Sequence, residues 1–212
     1  MKREATLGGV GALAFGILTF VALLLANPPG GTYSGQDVAD FLARGHRAAV
    51  IIAVYVLALA ITGLLLMLSR LRSTIAGSRA STFWALAVAS AACWIAGFAI
   101  VIAPSTALAF SGGKLTTLSG PLVYTVCEAG WAVAYGGGGI LLGLALVIYA
   151  LGPVAAPAWV RWTTLVAGIA ALASIAWFPQ FLVYLWAIAI GVWTLVASRS
   201  TARETAATPQ TA

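Results

Sequence analysis

Glu128 is the only acidic side chain that falls inside one of the long apolar stretches of this sequence. A charge at mid-bilayer depth costs roughly 2.5 to 3.5 kcal/mol even on lenient insertion scales. Such a carboxylate must face other helices, find hydrogen-bond donors or stay protonated. Tyr124 and Thr125 lie one helical turn before it, Trp131 one turn after and Tyr135 two turns after. At helical spacing these residues form one polar and aromatic stripe. Glu128, Tyr124, Thr125, Trp131 and Tyr135 are therefore the candidate ligand or ion pathway. A structural role has equal weight: a neutral or paired Glu128 that joins helices through Tyr, Ser or Trp groups.

A second polar group gathers on the same side of the chain. Asp37, Asp40 and His46 precede the second apolar stretch and are candidates for an outer vestibule capping Glu128. His46 is the single histidine and sits between Arg44 and Arg47. One histidine cannot provide bis-histidine haem ligation, and no Cys/His/carboxylate cluster has zinc spacing. No metal site and no cofactor are expected. For His46 the simpler reading is an interfacial residue beside headgroups, and the functional one a proton-responsive group. Cys93 and Cys127 fall at different helix depths, roughly 16 Å and roughly 9 Å from the outer end by helix rise, so two separate thiols are expected. Gly136 to Gly139 follow Tyr135. Four consecutive glycines weaken a helix by roughly 1 kcal/mol each, and close packing is favoured over local unwinding or room for a ligand. No Lys-Ser/Thr follows them, which excludes a phosphate-cradling loop.

These residues are positioned by a chain that is 62% hydrophobic and 8% charged over 212 residues, with mean hydropathy +1.03. That composition indicates an all-α, polytopic transmembrane bundle with no room for a soluble catalytic domain. Six spans are expected: about Leu7 to Ala26, Ala48 to Ser69, Thr82 to Ala103, Pro121 to Ala150, and two from Trp159 to Ser198 divided at Pro179 and Gln180. The first stretch lacks a cleavage pattern before Asn27-Pro28-Pro29-Gly30-Gly31 and reads as a retained helix rather than a signal peptide. Lys2, Arg3, Arg70, Arg72, Arg79, Arg161, Arg199 and Arg203 then fall on one side, against Arg44, Arg47 and Lys114 on the other. Eight against three places both termini in the cytoplasm. It also explains the net charge of +6 without nucleic acid. Trp84, Trp159 and Trp162 are expected near the inner interface and Trp177 near the outer one. Trp94, Trp131, Trp186 and Trp193 fall within spans and need acceptors for their indole N–H groups.

Between the first two spans, Ser34-Gly35-Gln36-Asp37 matches a capping box, and Val38, Phe41 and Leu42 recur at helical spacing. They predict a short amphipathic helix over about Asp37 to Ala43 on the outer surface. The connection from Pro104 to Gly120 reads as a mixed loop, with Pro121 at the first position of the next helix. The domain division is 1–198 for the membrane unit and 199–212 for a disordered cytoplasmic tail.

The alternation of small and branched residues, the Pro-rich break before a short amphipathic helix, and Pro157-Ala158-Trp159-Val160-Arg161-Trp162 together resemble a class of small six-helix bacterial membrane proteins, many actinobacterial, that are uncharacterised. The heavy Ala, Gly and Arg usage fits a high-GC bacterial source. The resemblance implies a multi-pass protein of the bacterial plasma (inner) membrane and carries no activity with it. Three functions follow from the residues. First is an outward-opening polar-aromatic cavity that binds or transports an ion or small apolar ligand. Second is a membrane-embedded enzyme acting on a lipid or isoprenoid, although no catalytic motif is found and the leaning is against an enzyme. Third is a non-catalytic subunit of a membrane complex. The expected partners are the lipid bilayer, a small ligand or ion, and a second copy or a membrane-complex partner, with no nucleic acid.

Overall fold

The computed structural model describes residues 2–176 and 179–207, with side chains for 3–176 and 179–198. Apart from one isolated bridge between Ile75 and Val154, the regular structure among them is helical. In order, α1 is Lys2–Ala26, α2 Gly35–Leu42, α3 Arg47–Arg72, α4 Arg79–Phe110, α5 Gly120–Trp131, α6 Ile140–Leu151, α7 Ala158–Leu172 and α8 Gln180–Ala207. A π-helical segment, Ala132–Gly139, joins α5 to α6, and a 3-10 turn, Ser174–Ala176, follows α7. Five helices are long and apolar enough to cross a membrane: Arg3–Ala26, Arg44–Arg72, Arg79–Phe110, Gly120–Leu151 and Gln180–Ser198. A sixth apolar helix, Ala158–Leu172, is shorter.

Close backbone contact holds the long helices together. Helix α1 packs on α3 and α8, α4 on α3 and α5, and α7 on α6 and α8. A Cβ added at Gly11 would lie 2.6 Å from the Gly63 carbonyl oxygen, and one at Gly63 would lie 2.5 Å from that of Gly11. Gly97 and Gly130 face each other in the same way across α4 and α5, at 2.6 Å in both directions. Lipid offers no hydrophobic drive between helices, so small residues that let backbones touch supply the packing.

Two ends of the bundle can be told apart by what meets there. At one end Ala5, Arg70, Thr74, Tyr149, Ala155 and Ser198 surround a common pocket. Arg161 donates to the Ala150 carbonyl there at 3.2 Å, and Arg72 lies over the Trp84 ring. At the other end His46 Nε2 meets the Ala26 carbonyl at 2.8 Å and Arg47 donates to the Leu108 carbonyl at 3.4 Å. Helix α2 sits at this second end. Ser34 Oγ accepts from the Asp37 amide at 3.2 Å, and Val38 and Phe41 are buried. The short amphipathic helix is thus present over Gly35–Leu42.

One expected boundary is corrected. Pro104 does not start a loop: α4 continues through it to Phe110. Proline removes one intrahelical donor, and neighbouring groups can compensate inside a bundle. Pro104 and Ser105 are buried inside the bundle, and Thr106 Oγ1 bonds back to the Ile102 and Ala103 carbonyls of the same helix at 3.2 and 3.0 Å, apart from the Ile100 carbonyl that the proline leaves without its donor. Trp177 and Phe178 lie outside the described residues, as does 208–212. Helix α8 runs on to Ala207, into the segment expected as a tail.

Candidate ligand cavity

The stripe on α5 grips a backbone. Glu128 Oε1 accepts from the Gly31 amide at 2.9 Å, the Tyr124 hydroxyl donates to the Gly31 carbonyl, and Trp131 Nε1 donates to the Pro29 carbonyl at 3.3 Å. Tyr33 then packs edge-on against Tyr124 at 5.3 Å, and its hydroxyl lies beside Gly120. Residues 29–33 therefore climb along α5 from the level of Trp131 to that of Gly120. The reason is local. Pro28-Pro29 stops α1, and left-handed Asn27 (φ 36°) and Gly31 (φ 75°) turn the chain at both ends of the break.

Helix α8 also begins below the α2 end. Ser174 Oγ, after α7, donates to the Tyr135 carbonyl at 2.6 Å, so the 3-10 turn Ser174–Ala176 lies level with the π segment. By helix rise that level is about 20 Å along the helix from Gly120. Ser90 Oγ donates to the Gly138 carbonyl at 2.7 Å. Two buried serines thus donate to carbonyls of the π segment. A π turn widens the helix and disturbs its regular bonding. The run keeps its helical course, and the missing side chains of Gly138 and Gly139 leave the room that Trp94 and Ser174 occupy against it.

A cavity of about 180 Å³ lies where α1 ends, α8 starts and the 29–33 segment begins. Leu23, Asn27 and Pro28 line it from the α1 side, Trp131 and Tyr135 from α5 and the π segment, and Gln180, Phe181 and Tyr184 from α8. Its walls belong to a connected aromatic array. Trp131 stacks on Tyr135 at 5.1 Å, Tyr135 meets Trp94 edge-on at 5.2 Å, and Phe20 joins Tyr184 and Phe181 at 5.3 and 5.5 Å. Gln180 is 1% exposed. Neither its amide nitrogen nor its amide oxygen has a hydrogen-bond partner, and neither does the Tyr184 hydroxyl. The Tyr184 side chain lies beside those of Gln180 and Tyr135.

The expected residues divide accordingly. Glu128, Tyr124 and Trp131 converge on one object, and Trp131 and Tyr135 also reach the cavity. Thr125 is exposed and donates to the Pro121 carbonyl of its own helix at 2.8 Å. Asp37 and Asp40 are exposed on α2, where Gln36 donates to Asp40 at 2.8 Å. His46 Nε2 meets the Ala26 carbonyl at the end of α1. Among the other tryptophans within spans, Trp186 donates to Thr164 at 3.2 Å, while buried Trp94 has no partner for its N–H. Cys93 and Cys127 are free thiols. Gln180 and Tyr184 escaped the sequence reading. The available signal was a carboxamide directly after Pro179 at the head of an apolar helix. No protein-family model matches the chain, and no curated protein or solved structure matches it.

Proposed function

We propose that the chain is a six-crossing protein of the bacterial plasma membrane, with both termini cytoplasmic, that binds a small flat ligand in the cavity between the end of α1 and the start of α8. The observation carrying this reading is that cavity itself, walled by Trp131, Tyr135, Phe181 and Tyr184. Small-molecule sites are concave and lined mostly by apolar and aromatic side chains. A water needs only about 10–15 Å³ of such space, and drug-sized ligands fill about 300–1,000 Å³. A cavity of about 180 Å³ suits one or two rings. An ion pathway through Glu128 is less favoured, because that carboxylate is engaged with the Gly31 amide.

The sixth crossing is supported by length. Fifteen residues of α7 rise about 22 Å, and the 3-10 turn adds about 6 Å, close to the roughly 30 Å hydrocarbon core. The arginine-rich end is the cytoplasmic one by charge bias. Maleimide labelling of cysteines placed at Ser111 and Ser73 tests the orientation, with Ser111 reached from outside and Ser73 from inside. Reaction of the Ser73 position from outside refutes it. Equilibrium dialysis of naphthalene against the full chain in nanodiscs tests the cavity. One saturable site above empty nanodiscs is expected, and Leu23→Trp, which fills the space, should abolish it. Binding that survives Leu23→Trp places the ligand elsewhere and refutes the proposal.

A further inference from the structure

We infer that a groove between α3 and α4 holds one acyl chain of a phospholipid, with the phosphate of that lipid on Arg47 at the α2 end of the bundle. The groove has a volume of about 300 Å³ and shares no lining residue with the cavity between α1 and α8. Helix α1 contributes Ala22 and Ala26, and the walls run from Ala53 to Leu65 on α3 and from Ile95 to Ile102 on α4. Ala58, Ile95 and Ala99 are exposed, so the groove opens on the flank of the bundle. Both wall helices are long and apolar enough to cross a membrane, which turns that opening toward lipid. Thr62 is the one polar side chain of the lining, and its hydroxyl already donates to the Ala58 carbonyl at 2.9 Å. The groove therefore asks its occupant for no hydrogen bond. Length decides between a lipid chain and a second helix. Ala53 to Leu65 rises about 18 Å, close to the roughly 15 Å of hydrocarbon in one leaflet, whereas a partner helix crosses all of the roughly 30 Å core. A positive charge stands where the headgroup of such a lipid would be. Arg47 shares the face of α3 that carries Val54, Ala58 and Leu65 and lies about 9 Å beyond Ala53. It reaches across to α4, donating to the Leu108 carbonyl at 3.4 Å, and exposed Arg44 precedes it in the 3-10 turn Arg44–His46. A guanidinium carries five N–H donors in a fork suited to phosphate, and the Leu108 contact takes one of them. The headgroup layer of a leaflet is about 5–7 Å deep, so an arginine at that height meets the phosphate of the lipid whose chain fills the groove.

Two lipids with the same chains separate the groove from the arginine. The full chain, purified in detergent, is titrated with dioleoylphosphatidylglycerol and, in parallel, with dioleoylglycerol, which lacks the phosphate; native mass spectrometry counts the lipid retained. One phospholipid should saturate, and dioleoylglycerol should bind about tenfold more weakly. Ala58→Trp and Ala99→Trp fill the groove from its two walls at exposed positions, so each should abolish the site while the chain stays folded. Arg47→Gln should bring the two lipids to within about twofold of each other. Arg72→Gln, at the opposite end of the bundle over Trp84, should leave the preference intact. If loss of the Leu108 contact unfolds Arg47→Gln, Arg47→Lys keeps the charge without the fork and should still weaken the preference. A lipid that saturates in both tryptophan variants overturns the groove as its site. A preference undiminished in the Arg47 variant, or lost equally in Arg72→Gln, overturns the assignment to Arg47. A chain that retains no lipid and runs as a dimer, becoming a monomer in Ala58→Trp, gives the groove to a second copy and overturns the proposal. A monomer that retains no lipid overturns it as well.

Discussion

Replacing Glu128 separates a residue that holds the chain from one that handles a ligand. In the structure its carboxylate accepts the Gly31 N–H at 2.9 Å and fastens the 29–33 segment to α5. A hydrogen bond to a charged group contributes about 1.5–3 kcal/mol when shielded. Gly31 is exposed and Glu128 half-buried, so water competes for both partners and the value falls to about 1 kcal/mol. One kilocalorie corresponds to about a fivefold change in the open-to-closed ratio of the segment. Hydrogen exchange read at the Gly31 amide should therefore quicken about fivefold in Glu128→Leu. Glu128→Gln keeps an amide oxygen as acceptor and should show a smaller rise. Exchange at α3 amides near Leu64, buried in the core, should be unchanged in both. Naphthalene should enter and leave faster with little change in affinity. If exchange at Gly31 is unaltered in Glu128→Leu, the clamp is not what Glu128 provides. If binding vanishes in Glu128→Gln while exchange stays as in the parent chain, the carboxylate acts on the ligand and the loop-holding argument fails.

Ser174→Ala should remove a buried hydrogen bond to the Tyr135 carbonyl and lower stability by about 0.5–1.5 kcal/mol; thermal unfolding in nanodiscs reads it, and an unchanged midpoint contradicts the role given to that hydroxyl. Gly97→Ala brings a Cβ to 2.5 Å from the Ala134 amide nitrogen, so α4 and α5 must part, at about 1–3 kcal/mol. Gly136→Ala meets nothing within 4 Å and should instead stabilise by up to about 1 kcal/mol. Equal midpoints for the two glycine variants would show that neither close approach at Gly97 nor backbone entropy at Gly136 governs stability there.

What was legible in the sequence was whatever a residue's own neighbours determine. Apolar length marked the long helices, Ser34 with Val38 and Phe41 marked α2, and the spacing of Tyr124, Glu128 and Trp131 marked a shared face. The object held by that face was not legible, because it is main chain. Pro29 and Gly31 offer only carbonyl and amide groups, which every stretch of chain carries, and they lie some hundred residues before Trp131 and Glu128. Glu128 therefore looked like a site in want of a ligand, when a loop already occupied it. Gln180 misled in the opposite direction. Next to Pro179 it reads as turn punctuation, and turns are expected at the membrane surface, where an amide is solvated. Its meaning changes only once Ser174 fixes the turn level with Tyr135. At that depth the same side chain is buried and unpaired. In a membrane bundle, a polar residue's chemistry depends less on its type than on how far its helix reaches. Here that reach is set by a serine–carbonyl contact between the 3-10 turn after α7 and the π segment, which brings Gln180 among Trp131, Tyr135 and Tyr184.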